Sequence, residues 1–171
     1  MSKGFVAILM GSDSDLPLVE NTIKVLKDFN IKVEVKVTSA HRTPEVTAQF
    51  VKDADKRGCQ VFICAAGLAA HLAGAVAANT IKPVIGIPVD CGPLKGVDAL
   101  YSTVMMPGGI PVATVAVGSA GAKNAGFLAA QIMALSDEEL AKAVYENRQK
   151  AAEGVIAKDK ALQEKLKNLN D

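Results

Sequence analysis

Short runs of uninterrupted apolar residues mark strands buried on both faces, and three of them recur along this chain: Phe5–Met10, Val61–Ala66 and Val84–Val89. The segments between them change period. Leu16, Val19, Ile23 and Leu26 follow one another at 3-4-3 spacing, a single apolar stripe on a helix. Ile31 to Val37 alternates strictly, with Ile31, Val33, Val35 and Val37 against Lys32, Glu34 and Lys36, so this strand wets one face and belongs at a sheet edge. Strands alternating with helices imply a parallel sheet with right-handed crossovers.

A solvated second strand selects the order 2-1-3-4-5, which is flavodoxin-like. Thr43, Pro44 and Glu45 give a helix start with an N-cap, a proline at the first position and an acid in the first turn. That helix runs to Arg57 and stops at Gly58. An Ala-rich helix reaching Thr80, a short helix over Val97–Met105, a turn at MPGGIP and a fifth strand over Val112–Val117 follow. Ala120–Leu135, with Gly121 and Gly126, reads as a central buried helix. Its small-residue face suits close contact between backbones in an oligomer. Ser136 to Glu139 reads as a capping box opening the next helix. Past Gly154 the chain is charged, with a thin stripe of Leu162, Leu166 and Leu169 that calls for a neighbour. The expected fold is an α/β three-layer αβα sandwich with a central parallel sheet plus C-terminal helices. Residues 1–154 form the α/β domain, and 155–171 a helical tail that is not a separate domain.

Composition narrows the function. A chain of 171 residues suits one domain. Its 19 basic and 18 acidic residues leave a net charge of +1, which argues against nucleic acid as a partner. The apolar run at the N-terminus is short and followed by Asp13 and Asp15, unlike a signal peptide, and no stretch approaches a membrane span. Cys59, Cys64 and Cys91 form no CxxC pair and have no histidine at zinc-like spacing, so they read as buried small hydrophobes in a reducing compartment. These readings give a cytoplasmic protein with no membrane contact and no metal.

In an open parallel sheet, ligands bind beyond the carboxyl ends of the strands. Three loops leave those ends in succession: Gly11–Asp15, Ser39–Pro44 and Gly67–Leu72. Both histidines of the chain, His41 and His71, lie in them. Backbone N–H groups and the hydroxyls of Ser12 and Ser14 suit a phosphate. Asp15 would repel phosphate, so it accepts from ribose hydroxyls or caps its helix. An imidazole can give and take protons near neutrality, and the neighbouring Arg42 offers a fixed fork for phosphate or carboxylate. His71 sits among Gly67, Ala69, Ala70 and Gly74, where little side-chain mass keeps a ligand away from the backbone.

GSDSD, SAHRTP, GLAAHLAG, PVIGIPV, LYSTVMMPGGIPVATVAVG and AGAKNAGFLAAQIMAL together resemble the N5-carboxyaminoimidazole ribonucleotide mutase family of purine biosynthesis, also called the phosphoribosylaminoimidazole carboxylase catalytic subunit. The resemblance runs from Phe5 to Arg148. It implies a cofactor-free mutase acting on a small ribonucleotide, with His41 as general acid–base. Ser12, Asp15 and Arg42 would bind the ribonucleotide, and Ser14, Ser39 and His71 would line the same pocket. It also implies a homo-octamer with sites near subunit interfaces, and functional coupling to the ATP-dependent carboxylase that makes the carbamate. Ala73, where members often carry Pro, and Asp90–Gly92 depart from the family pattern. The nearest rival is a carboxylase of the same family using free carbon dioxide; SAHRTP, as opposed to SAHK-type loops, favours the mutase. A flavin or nucleotide module without catalysis, and a purely structural oligomer, are rivals from other classes.

Overall fold

The computed structural model describes residues 4–170; residues 1–3, the start of the segment weighed as a leader, and residue 171 lie outside the described residues. Five strands, β1 (Phe5–Met10), β2 (Lys32–Val37), β3 (Cys59–Ala66), β4 (Val84–Pro88) and β5 (Ala113–Thr114), form one parallel sheet in the order β2-β1-β3-β4-β5. The helices α1 (Leu16–Asp28), α2 (Pro44–Lys56), α3 (Leu72–Ala77), α4 (Val97–Val104), α5 (Ser119–Ala134) and α6 (Glu138–Asn170) complete the chain. This is the expected flavodoxin-like order, with β2 at one edge.

The pleat of β1 explains the two layers of core. Val6, Ile8 and Met10 face one way and join Val19 and Leu26 of α1 with Ala122, Ala125 and Ala129 of α5. Phe5, Ala7 and Leu9 face the other way and meet Val51 and Ala54 of α2 with Leu72 and Val76 of α3. Both faces of β1, β3 and β4 are thus covered, which is why these strands carry no polar alternation.

At the edge, Ile31 is buried, but Val35 and Val37 are 39% and 47% exposed, because the cover over the strand's apolar face thins along its length. The opposite edge departs from expectation. β5 is two residues long, where Val112–Val117 is predicted. It pairs with β4 alone, and β4 ends at Pro88, which has no N–H to extend a ladder. Beyond Thr114 the chain stays alongside through isolated bonds, Val115 N–H to the Gly86 carbonyl at 3.1 Å and Gly118 N–H to the Pro88 carbonyl at 2.9 Å.

The helix ends follow local chemistry. Gly58 takes φ 92°, the left-handed conformation that closes α2. α3 stops at Ala77, short of Thr80. The Asn79 side chain donates to the Ala75 carbonyl at 2.9 Å and the Thr80 hydroxyl to Asp55 at 3.2 Å, so side chains replace the last helical bonds. The cap of α6 is Asp137, one residue past the predicted Ser136: its carboxylate accepts from Leu140 N–H at 3.0 Å, while the Ser136 hydroxyl donates to Met133 at the end of α5.

α5 is central and buried, as expected, but the partner of its small-residue face is inside the chain. Gly121, Ala122, Ala125, Gly126, Ala129 and Ala130 are buried, and the Thr22 hydroxyl of α1 donates to the Ala122 carbonyl at 2.7 Å. The small residues let α1 and α5 lie close on the same sheet face, and they are not an oligomer surface. α6 runs unbroken through Gly154, a length of about 50 Å at the usual helical rise. Val155, Ile156, Leu162, Leu166 and Leu169 stay exposed along it.

A Cβ on Gly126 would sit 2.9 Å from Val25 Cβ and 3.2 Å from the Thr22 carbonyl oxygen. Gly126→Ala is therefore expected to destabilise the monomer fold by about 1–3 kcal/mol through overpacking, a fall in Tm of about 3–10 °C for a domain of this size. Native sedimentation should match the unsubstituted protein. Thermal melting followed by circular dichroism checks the first point, and an unchanged Tm would contradict this packing.

Candidate active site

The carboxyl ends of β1, β2 and β3 lie side by side, and backbone bonds carry the pairing one residue beyond the strands. Gly11 N–H donates to the Ala65 carbonyl at 3.1 Å, Thr38 N–H to Met10 at 3.0 Å and Val89 N–H to Ala66 at 2.9 Å. The three loops therefore start from a rigid rim. They enclose an open cleft of about 540 Å³ lined by Ser12, Ser14, Asp15, Ser39, His41, Arg42 and His71, together with Leu68 and Cys91. Every site residue singled out in the sequence lines this one cleft.

In the first loop, Ser12 and Asp15 cap a single 3-10 turn over Asp13–Asp15 reciprocally. Ser14 N–H donates to Ser12 Oγ at 3.3 Å, and Ser12 N–H donates to Asp15 Oδ2 at 3.2 Å. The Ser14 hydroxyl also donates to Ser12 Oγ at 2.9 Å. Of the two readings of Asp15, capping is present in the structure, and the residue lines the cleft as well. Burial raises the Asp15 carboxyl from its ordinary value. The Ser12 N–H pulls it back, and the nearby Asp13 charge pushes it further up.

In the second loop, threonines set the shape. The Thr43 hydroxyl accepts from Ser39 N–H at 2.9 Å and contacts Thr38 Oγ1 at 3.1 Å, and Thr38 Oγ1 meets Thr47 Oγ1 at 2.7 Å. Thr43 occupies the N-cap of α2, yet its hydroxyl closes the loop and makes no cap bond. Ser39 Oγ accepts from Arg42 N–H at 3.2 Å, a contact that holds the histidine–arginine pair at the tip. Both side chains are exposed there. Among the described residues the Arg42 guanidinium reaches one acceptor, the Gly11 carbonyl, at 3.5 Å, the outer limit of a hydrogen bond. It is free to take an anion with both arms.

The third loop is pinned from outside by Ser102 of α4. Its Oγ accepts from Ala70 N–H at 2.9 Å and lies 3.4 Å from the carbonyl of Leu68, whose φ is 56°. His71 follows and meets His41 across the cleft, with Nδ1 of His71 2.7 Å from Nε2 of His41. Two residues escaped sequence reasoning. Ser102 sits mid-helix, where nothing in spacing marks a loop clamp. Cys59 and Cys64 are buried as expected, but Cys91 is half-exposed and lines the cleft. Its place in the loop after a fourth strand was the available signal. Among the described residues, no group of three or more His, Cys, Asp or Glu is placed to hold a metal ion, and no helix is long and apolar enough to cross a membrane.

The cleft offers an imidazole for proton transfer, a free guanidinium, a hydroxyl-rich turn and small apolar walls. Comparison with known proteins points the same way. The sequence model of a family described as AIR carboxylase matches residues 5–154. The chain is 49% identical to the N5-carboxyaminoimidazole ribonucleotide mutase of Methanocaldococcus jannaschii over 95% of its own length and 99% of the relative's. It is 46% identical to the mutase of the same name from Thermotoga maritima, over 93% and 92%. Among solved structures, Treponema denticola PurE superposes with a TM-score of 0.85 at 33% identity, covering 93% of this chain and 98% of that one.

The raised Asp15 carboxyl carries a pH dependence with a definite sign. Because the folded state favours the protonated form, Asp15 lowers stability at neutral pH, and this penalty vanishes as pH falls below the usual carboxylate range. Asp15→Asn, which keeps an acceptor for Ser12 N–H, is expected to raise Tm at pH 7 and to lose that advantage near pH 3. Melting curves across the range check it; an advantage that grows toward acid would contradict the sign.

Proposed function

Because the chain belongs to the AIR carboxylase family, we propose that it is an N5-carboxyaminoimidazole ribonucleotide mutase of purine biosynthesis, an isomerase that needs no cofactor. The carbamate carbon on N5 leaves as carbon dioxide while N5 gains a proton. C4 of the electron-rich imidazole then attacks the carbon dioxide and loses its own proton, giving 4-carboxy-5-aminoimidazole ribonucleotide. One proton is given and one is taken back, so a single imidazole serves both steps and ends as it began. His41 has this role. Arg42, Ser12 and Asp15 hold the ribonucleotide, with Ser14, Ser39 and His71 beside it. The small residues of the third loop keep water from the carbon dioxide. The observation that carries the reading is the convergence of all seven side chains on one cleft.

The assembly proposed is a homo-octamer in the cytoplasm, working in sequence with the ATP-dependent carboxylase that makes the carbamate. Exposed Leu68 at the cleft, with Val97, Tyr101 and Met105 along and after α4, gives an apolar surface that neighbouring subunits would cover.

His41→Asn is expected to bind the ribonucleotide but lose about 10²–10⁴-fold or more in kcat, since asparagine cannot cycle a proton. Arg42→Ala is expected to weaken binding by about tenfold to a hundredfold, with a smaller effect on kcat, because the phosphate does not react. Turnover of the carbamate ribonucleotide to the C4 carboxylate measures both, and wild-type kcat in the His41 variant would overturn the mechanism. The same assay started from aminoimidazole ribonucleotide and free carbon dioxide separates the carboxylase alternative.

For the assembly, sedimentation should give a species near eight times the 17.8 kDa chain mass. An active monomer at nanomolar concentration would remove the octamer.

A further inference from the structure

The only two histidines of the chain are in contact with each other. Their rings meet edge to face, with centroids 4.8 Å apart and planes at 85°, and Nε2 of His41 lies 2.7 Å from Nδ1 of His71. From this geometry we propose that His71 is a positioning residue, which fixes the tautomer of His41 and so decides which of its nitrogens faces the substrate ready to exchange a proton. The inference rests on the reading of His41 as the acid–base group, and it adds to the expectation that His71 lines the pocket.

The contact imposes a rule on protons. At 2.7 Å one nitrogen donates and the other accepts, so a single hydrogen lies between the rings. If His41 Nε2 carries it, His41 Nδ1 is bare and acts as the base. If His71 Nδ1 carries it, a neutral His41 bears its own hydrogen on Nδ1 and has no base on that side; only the pair with one added proton acts as the acid. When bare Nδ1 of His41 takes a proton, the shared hydrogen can stay or cross to His71 Nδ1, and the pair as a whole gains one positive charge either way. A second added proton would set N–H against N–H, so an intact pair holds at most one charge. This suits a reaction in which one proton is lent and recovered.

Both partners are held in place. His71 is fixed through its backbone, N–H to the Ala69 carbonyl and carbonyl to Ala75 N–H, each at 2.9 Å, at the start of α3. Ser102 clamps the residues before it. His41 is fixed by the Ser39–Thr43 bonds. The titratable and charged groups sharing the cleft are Asp15 from the first loop, Arg42 from the second and Cys91 from the loop after β4. None of them is hydrogen-bonded to either ring among the described residues. The partner of His41 is therefore the other imidazole, in the place a carboxylate fills in a serine-protease triad.

Nuclear magnetic resonance of protein labelled with nitrogen-15 histidine, expressed without a histidine tag, reads the two rings with no other histidine present. Near neutral pH, His41 is expected to show one dominant tautomer. In His71→Leu it should relax to the mixture of a free imidazole, and in His71→Gln, which keeps a donor and an acceptor, the bias should be partly restored. In turnover assays, His71→Leu should lower kcat by about tenfold to a hundredfold with KM within about twofold, as loss of an orienting partner does. His71→Gln should recover part of that loss. Both side chains are exposed, so these variants fold. Unchanged His41 nitrogen shifts in His71→Leu would overturn the proposal, and so would a raised KM with intact kcat. Full activity of His41→Asn would instead overturn the acid–base reading, and the tautomer measurement would still stand on its own.

Discussion

A parallel sheet gives all its strands one polarity, so every loop that leaves a carboxyl end comes out on the same side of the molecule. The rest of this structure depends on that constraint. β2, β1 and β3 are neighbours, so the loops after the first three strands emerge as a contiguous rim, although Ser12, His41 and His71 are far apart in sequence. A strand order that parted these three would scatter them. The bonds from Gly11 to Ala65 and from Thr38 to Met10 continue the ladder past the last strand residue, so the rim is as stiff as the sheet. Proton transfer depends on reacting groups being held close and in line, and here the holding is done by backbone pairing before any ligand arrives.

The polarity of the sheet is useful only if the helices that follow each loop are seated firmly. α1 carries the first loop and is locked by the small-residue face of α5. The Thr22–Ala122 hydrogen bond and the closeness of Val25 to Gly126 set the distance between the two helices. On the other sheet face, Gly86 lets Thr103 of α4 approach so closely that a Cβ would lie 2.4 Å from its methyl carbon. That packing puts Ser102, the next residue along, where it clamps Leu68 and Ala70. The glycines of the core thus act on the site from a distance: they fix how near the helices lie, and the helices fix the loops.

Much of this was legible in the chain. The unbroken apolar runs at Phe5–Met10 and Val61–Ala66 gave central strands because burial on both faces leaves no reason to alternate. The alternation of Ile31–Val37 gave the edge. Both histidines fell in loops at carboxyl ends, and the fold brought them to one cleft. What misled was one-dimensional reading of features whose partner lies elsewhere. The small residues of α5 suggested an interface between chains, because a sequence cannot say which backbone comes close; it is α1. Thr43 looked like a simple helix cap, and its hydroxyl instead closes the loop that holds His41. The fifth strand looked six residues long because Val112–Val117 is apolar, but pairing needs a partner, and Pro88 ends the one available. The contact between His41 and His71, which spans thirty positions, is invisible to any local pattern.

Charge is distributed in the cleft as the proposed chemistry needs. Asp15 already accepts from Ser12 N–H, which faces part of its charge inward to the turn, and burial raises its carboxyl from the ordinary value. Arg42 stands on the adjacent loop with its guanidinium almost unengaged. A ligand that carries both hydroxyls and a phosphate can meet acceptors on one loop and a cation on the other. In the proposed reaction the catalytic group must start with the proton it lends to N5 and recover it from C4, so it needs a partner that orients it both with and without that proton. An imidazole paired with a second imidazole, in place of a carboxylate, meets that requirement. It supplies a partner that orients the ring and adds no negative charge beside a substrate that must release, hold and recapture carbon dioxide.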